Sequence, residues 1–551
     1  MAQKLNDISF TLGQGGSGRQ ANGTDYISGL LFYNNTRPAA MLASLPGGVD
    51  NYSTGSVKQL FSPSDAVAIG IDNLYTDEIK NQSKFTIPVG GMGATGNSAT
   101  FTALEWNGGS GQGVVALGSY TNLNSDTLTV FTDGCAAAIN AGTNTHGYSA
   151  VSGGATGILT ITARPKLGIY PNNAVVPHFY TGTCTGTVNL GGGAATVFYG
   201  VDVVAGVASK LAIYYYHILR YFTVKPDGSL YVGIFNTAGA AAFADIANIS
   251  TNSGGSIVQL GIYDDQKTFA LSSLTLIQGQ LNTLRAAHKI LSNVTYAADI
   301  KAIGGAGTVL STLAGSTYNL AALSDNNVSA LIDNDGNGTG LDLFYATGKS
   351  ITSLGSEIGC ISEASISEDM GNCISRFNVD DGSEFDTLMF GDGTFYTSVS
   401  QSLLDSLNNN RYIFASKIPY ATGSWYSDDH TAVAYTSDYA WIHDNRVIDR
   451  VIKDSFIALT PILKSKLKLN TDGTMTVQTI ANLIAVEGDV IKPLIASGDL
   501  AGDPNNFSAS AWVLINPNQK PNVAGKLIIG VKLAENAIAH SISVPIGFGT
   551  F

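Results

Sequence analysis

From residue 205 onward the chain alternates between two hydrophobic periods, and this alternation restricts the available folds more than any single motif does. "VASKLAIYYYHILRYF" carries its apolar residues at helical spacing. The turn "KPDG" follows, then "GSLYVGIF", a short run of strand-forming residues. "SIVQLGIY" repeats the strand pattern, "SSLTLIQGQLNTLRAAHKIL" returns to an amphipathic helix, and "NVSALIDN" is strand again. Parallel strands need a crossover of about a dozen residues or more, usually a helix. The spacing therefore predicts an α/β layer of partly parallel strands.

Elsewhere the patterns differ. "YISGLLFY" reads as an early strand, and "GSVKQLFSPSDAVAIGI" as helix-like around Val57 to Leu60 and again from Asp65. Residues 100–200 are rich in Thr, Val, Gly and Ala. They predict strands at "GVVALGSY", "TLTVFT", "GILTITA" and "ATVFYGVDVV" and one short helix at "GCAAAINAGTN", an inserted β-rich α+β domain. Beyond 380 come a helix "SVSQSLLDSLNNNRY", a strand "YIFASKI" and a helix "DNRVIDRVIKDSFIALTPIL". That last helix places Val447, Val451, Phe456 and Leu459 near one face, with Asp444 as N-cap and Pro461 at its end. A further helix, "VQTIANLIAVEGDVIKPLIASG", precedes strands "GKLIIGVKL" and "HSISVPIGF".

Both ends of the chain alternate like strands. Ile8, Phe10 and Leu12 do so at the start, and Ile542, Val544, Ile546 and Phe548 at the finish. A lone strand leaves its N–H and C=O groups without partners, so two such segments are suited to completing sheets on other copies. The first is followed by "GQGGSGRQ", with Gly13, Gly15, Gly16 and Gly18. Gly13, Gly15 and Gly18 spell G-x-G-x-x-G, and Arg19 makes a near P-loop, but these loops hold phosphate only where a helix N-terminus follows. "RQANGTDYISGLLFYNN" has no helical stripe, and Gln20 stands where the magnesium-binding hydroxyl belongs. The glycines are read as a flexible linker. "ATGKS" at 346–350 is a second half-motif, with Leu343 where the upstream glycine belongs.

Charge narrows the function. Only 13% of residues are charged, against about 25% in an average soluble protein. Such a surface is easier to understand if much of it faces identical neighbours. The net charge of −13 and the lack of a Lys/Arg cluster speak against nucleic acid as a partner. Cys135, Cys184, Cys360 and Cys373 form no CxxC pair, which fits a reducing compartment. "MAQKLNDISF" has no apolar core of a signal peptide. The most apolar stretch, "VVAGVASKLAIYYYHILRYF", is broken by Ser209, Lys210, His217 and Arg220 and reads as a buried helix, so no membrane insertion is expected.

Candidate sites of chemistry are few. In "DNDGNGTG", Asp333, Asp335, Asn337 and Gly338 match the opening of a calcium loop, but Phe344 stands where the bidentate glutamate belongs, and a turn explains the composition. Asp428, Asp429, His430, His443 and Asp444 gather metal-ligand residue types within twenty residues at no recognised spacing. His217 reads as a packed core residue, His146 begins no nucleophile arrangement, and no G-x-S-x-G occurs. No cofactor and no catalytic set are expected.

Several stretches carry a family likeness: "NYSTGSVKQLFSP", "AINAGTNTHGYSAVSGGATGILTITARPKLG", "VSALIDNDGNGTG" followed by "GKSITSLGSEIGCIS", and "GSWYSDDHTAVAYTSDYAWIHDNRVIDRVIKDSFIALTPILKSKLKLNTDGTM". With them the chain resembles the contractile tail sheath proteins of phages, of the Mu-like, Bacteroidetes-type branch. It departs at "IDND", where the family usually has Gly-Gln before Asp. The resemblance implies a multidomain α/β and α+β sheath architecture: an N-terminal arm at 1–24, the first part of the central domain at 25–99, and an outer insertion at 100–200. The central α/β domain at 201–380, a tube-proximal C-terminal domain at 381–535 and a C-terminal arm at 536–551 complete it. It also implies stacked, six-membered rings of identical subunits around an inner tube, joined by exchanged end strands, with baseplate and terminator proteins as partners. The location is a virion tail assembled in a bacterial cytoplasm. Tube-facing positions implied by the family are Glu487, Asp489 and Lys492, or Asn518 and Lys520 in "NPNQKPN". The readings left beside it are a non-contractile surface or fibre protein and a hydrolase.

Overall fold

The computed structural model describes residues 25–35, 37, 38, 41, 57–72, 82–86, 98–106, 112–121, 123, 126–162, 184–189, 196–199, 201–204 and 538. It also describes 210–535, with breaks at 298, 302, 304–308, 373–376 and 381–383. Both end segments and their glycine linker, from Ile8 to Gly18 and from Ile542 to Phe548, lie outside the described residues.

The chain is mixed α/β, built on a seven-stranded sheet. In chain order its strands are β1 (Ser28–Tyr33), β2 (Val57–Leu60), β3 (Leu230–Phe235), β4 (Gln259–Tyr263), β5 (Asn293–Ala297), β6 (Val328–Leu331) and β7 (Tyr412–Ile413). Their spatial order is β7-β6-β5-β4-β1-β3-β2. All neighbours are parallel except β2, which closes one edge antiparallel to β3. The central strands are buried on both faces, so "SGLLFY" shows no polar alternation. Period two still sorts its side chains. Leu30 and Phe32 enter one core with Leu230, Val232 and Ile234, whereas Leu31 and Tyr33 enter the other with Leu260, Ile262 and Tyr296.

Helices cover both faces. On the first lie α1 (Lys210–Val224) and α3 (Leu354–Glu363); on the second lie α2 (Leu271–Ala286) and the helix Asp245–Asn252. Arg220 of α1 is 2% exposed, yet its guanidinium is answered by Ser356 Oγ at 3.2 Å, the Val379 carbonyl at 2.8 Å and Glu384 at 3.4 Å. Among the described residues no helix is long and apolar enough to cross a membrane.

Between β2 and α1 lie two antiparallel four-stranded sheets and the helix Leu128–Ala141. Here the sequence reading of "TLTVFT" as a strand is corrected. Thr127 caps the helix by accepting the Val130 N–H at 3.3 Å, and Phe131, Cys135 and Ile139 recur every four residues on its buried face. Val57–Leu60 is corrected in the opposite sense, from helix to edge strand, because Pro63 opens the helix Pro63–Ala68 and Val57–Leu60 pairs with β3.

At the C-terminal end, α4 (Ile442–Leu459) and α5 (Val477–Ala496) pack together with a two-stranded sheet, Val513–Leu514 against Gly530–Val531. Val451, Ile491, Leu494, Ile495, Leu500, Val513 and Leu533 form their separate core.

Candidate functional site: an acidic junction and an open C-terminal lobe

The acidic segment of the sequence reading converges on the start of α4. One carboxylate oxygen from each of Asp369, Asp428 and Asp429 lies within 4.8 Å of the others, all three buried. Asp369 was invisible to spacing, standing 59 residues before Asp428 (428 − 369). Each carboxylate is engaged: Asp369 accepts the Gly371 N–H at 2.6 Å, Asp428 accepts the Asp429 N–H at 3.0 Å, and Asp429 lies 2.6 Å from His443 Nδ1. Burial, then the charges of Asp429 and Asp428, push the Asp369 carboxyl well above its ordinary range, with His443 opposing. Arg411 and Arg446 lie within electrostatic range of this group. His430 turns its Nε2 to Asn408 Oδ1 at 3.0 Å, with Asp428 at 3.8 Å. A hard cation would find three oxygens here, but each charge is already offset by a proton, a hydrogen bond or a nearby cationic group.

Asp444 is not the N-cap expected of it. Trp441 holds that position and Asp444 lies in the first turn. The capping work is done from a distance: the Asp429 carboxylate accepts the His443 N–H at 3.0 Å and its carbonyl accepts that of Ile442 at 2.9 Å.

The calcium-like run is structural. Asp335 accepts four backbone N–H groups, from Asn337, Gly338, Gly340 and Phe385, at 2.9–3.3 Å. That uses every lone-pair site of the carboxylate. Asp333 accepts from Ser353 N, Ser353 Oγ and Ala415 N at 2.6–3.0 Å, and burial raises its pKa to about 6. Asn337 lies in the turn between them and the helix Thr339–Thr347. In "ATGKS", Gly348 ends that helix in the left-handed region (φ 66°), and Lys349 pairs with Asp299 at 2.7 Å. His217 is fully buried, and burial lowers its pKa to about 3.

The chain order of the sheet reverses across β1, and in open α/β sheets ligands enter beyond the strand ends at such a point. Beside Tyr33, at the end of β1, the fully buried Phe243 packs, its ring 6.4 Å from Tyr33 and 5.6 Å from Tyr296, with Lys267 Nζ 4.1 Å from the ring centre.

The C-terminal lobe presents the assembly candidates. Asp489, Lys492, Asn518 and Lys520 are exposed. Glu487 is corrected: it is 1% exposed and accepts the Ser455 hydroxyl at 2.7 Å, because it falls on the inward stripe with Leu483 and Ile491. Apolar side chains remain in solvent across the same lobe, with Ile457 70%, Val523 78%, Ile528 60% and Leu514 57% exposed. A groove between α4 and α5 of about 350 Å³ includes Arg450, Asp454, Ile457, Asp489 and Pro493.

No protein-family model and no curated protein matches the chain. Thirteen chains of solved structures are similar to it, three of them as follows. A chain of the anti-feeding prophage baseplate shares 15% identity at a TM-score of 0.40, over 61% of this chain and 80% of that one. A chain of the anti-feeding prophage helical sheath in its contracted state shares 16% at 0.40, over 60% and 81%. The sheath tail protein of Listeria innocua shares 9% at 0.37, over 95% and 93%. These three neighbours are a baseplate chain, a contracted sheath and a sheath tail protein.

Proposed function

We propose that the chain is a non-enzymatic structural subunit of a contractile tail sheath, polymerising as stacked rings around an inner tube. The observation that carries this reading is the small C-terminal sheet. Val513–Leu514 and Gly530–Val531 form a two-stranded ribbon, with no further strand added among the described residues and with Leu514 exposed beside it. Two-stranded ribbons are marginal alone, and open edges accept another strand. The chain also carries donors of the right kind: alternating segments at Ile8–Leu12 and Ile542–Phe548, the first followed by four glycines. Exchange of these end segments between copies satisfies both needs and leaves the glycines to absorb rotation of one subunit against the next.

Contraction in this reading uses no nucleotide. The extended lattice is a kinetically trapped state, and newly buried interface between subunits drives it to a shorter, wider one. Asp489, Lys492, Asn518 and Lys520 face the tube, and baseplate and terminator proteins cap the polymer of a virion tail. Removing residues 1–20 tests this. The described cores lie outside that segment, so the subunit folds, but electron microscopy shows no tubes or only loose rings. Tubes indistinguishable from those of the whole chain refute the exchanged arm.

A further inference from the structure

The root of the N-terminal segment is fastened in an unexpected place. Arg450, on the third turn of α4, donates to the Asp25 carboxylate at 2.6 Å and to Asp454 at 2.8 Å. One turn earlier, Arg446 reaches the Asp25 carbonyl at 3.4 Å as well as the Ala364 and Ser365 carbonyls, each at 3.2 Å. Both side chains of the Asp25–Arg450 pair are largely buried, 14% and 15% exposed. Three residues later the chain becomes β1, an interior strand with parallel partners on both sides: six register pairs with β3 and five with β4. Ser28 is locked further by Ser362 Oγ at 2.5 Å and Gln259 Nε2 at 2.9 Å.

This arrangement has a mechanical meaning. A strand pulled along its axis loads its hydrogen bonds together, and a strand held between two neighbours has two ladders to shear where an edge strand has one. An ion pair at the entrance to β1 is the first link to carry such a load, and it passes the load sideways. Arg450 belongs to α4, whose second half forms the C-terminal lobe with α5.

We propose that Asp25, Arg446 and Arg450 form a load-bearing anchor that ties the N-terminal segment to α4, so that tension on residues 1–24 is shared between the central sheet and the C-terminal lobe. The source of the tension rests on the sheath reading; the coupling of Asp25 to α4 does not.

The test is amide hydrogen exchange on the unassembled full-length chain and on Asp25→Asn, Arg450→Gln and the double variant. Each single change speeds exchange by about fivefold both in residues 26–33 and in residues 446–459, the scale of a strong, partly buried ion pair. The double variant exchanges no faster than either single one, and residues 128–162 are unaffected. Should Arg450→Gln loosen residues 128–162 too, Arg450→Lys, which keeps the charge, is read instead, with a smaller rise confined to the same two stretches. Effects restricted to the mutated element, or adding in the double variant, overturn the anchor. Absence of tubes from the unaltered chain with the coupling intact would instead remove the sheath reading alone.

Discussion

Gly355 is the position at which one methyl group does the most damage. On this glycine of α3, a Cβ would stand 2.0 Å from the His217 carbonyl oxygen and 2.7 Å from its carbonyl carbon and Cα. Four residues on, a Cβ at Gly359 would meet Val224 Cβ at 2.9 Å and the Tyr221 carbonyl at 3.1 Å. The two glycines form a smooth stripe on which α1 rests. Contacts shorter than 3.0 Å force a shift, so Gly355→Ala requires about 1 Å of movement (3.0 − 2.0). The obstacle is backbone in mid-helix, which cannot rotate aside. All of α1 must move, and with it Ile213, Ile218 and Tyr221 in the core beneath. Overpacking costs about 1–3 kcal/mol, and this case belongs at the upper end; alanine's helix propensity returns about 1, leaving a net loss of about 2 kcal/mol. Gly279 on α2 is the control, since a Cβ there meets nothing within 4 Å. Gly279→Ala should stabilise by about 0.5–1 kcal/mol. The same chemical change therefore differs by roughly 3 kcal/mol between the two sites, read as urea midpoints of the helical signal. Equal shifts, or stabilisation by Gly355→Ala, refute the close approach of α1 and α3.

Two further outcomes follow from buried charge. Glu357 is fully buried, accepts the Thr295 hydroxyl at 2.7 Å through Oε1, and burial pushes its pKa from 4.5 to about 8. The folded chain holds this proton more tightly than the unfolded one, so its contribution is complete below about pH 4.5 and is lost as pH rises through about 8. Glu357→Gln should flatten the fall in stability between pH 5 and 8 by up to about 1.4 kcal/mol per pH unit, and parallel midpoint curves for the two proteins count against it. Asp449, with 2% of its side chain exposed, pairs through both oxygens with Arg285 of α2 at 2.5 and 2.9 Å. Asp449→Ala should cost about 2–4 kcal/mol in denaturant titration, while joint replacement of the pair by Leu and Met recovers most of it.

The central sheet was legible because its signals are local. "GSLYVGIF", "SIVQLGIY" and the helices between them carry their own period, and helix-length crossovers leave few options but parallel pairing. Local signals failed where a segment satisfies two templates at once. "TLTVFT" is β-branched and alternating, yet Phe131 also begins an i, i+4 series with Cys135 and Ile139, and the cap at Thr127 tips it to helix. Val57–Leu60 has helical spacing by itself and becomes a strand only because β3 offers an edge. Neither competition is decided within the segment.

The junction at α4 was hidden for a different reason. Its hydrophobic stripe, Val447, Val451, Phe456 and Leu459, marks one buried face, and Val447 and Val451 are indeed buried. The first half of the helix, however, is packed by charge: His443, Asp444, Asn445, Arg446 and Asp449 are all at most 7% exposed. A sequence reading treats such residues as a solvated face, since their partners Asp429, Asn326, Ala364 and Arg285 come from four distant segments. The energetics of the two halves differ accordingly. Separating apolar surface costs about 25 cal/mol per Å², whereas charges that part regain the hydration they gave up on pairing, so a paired polar interface fixes orientation at little net stability. In α4 the polar half faces the central sheet and the apolar half faces the C-terminal lobe. The polar contact therefore fixes how α4 sits against the central sheet, and the apolar contact supplies the larger share of what holds the lobe to it.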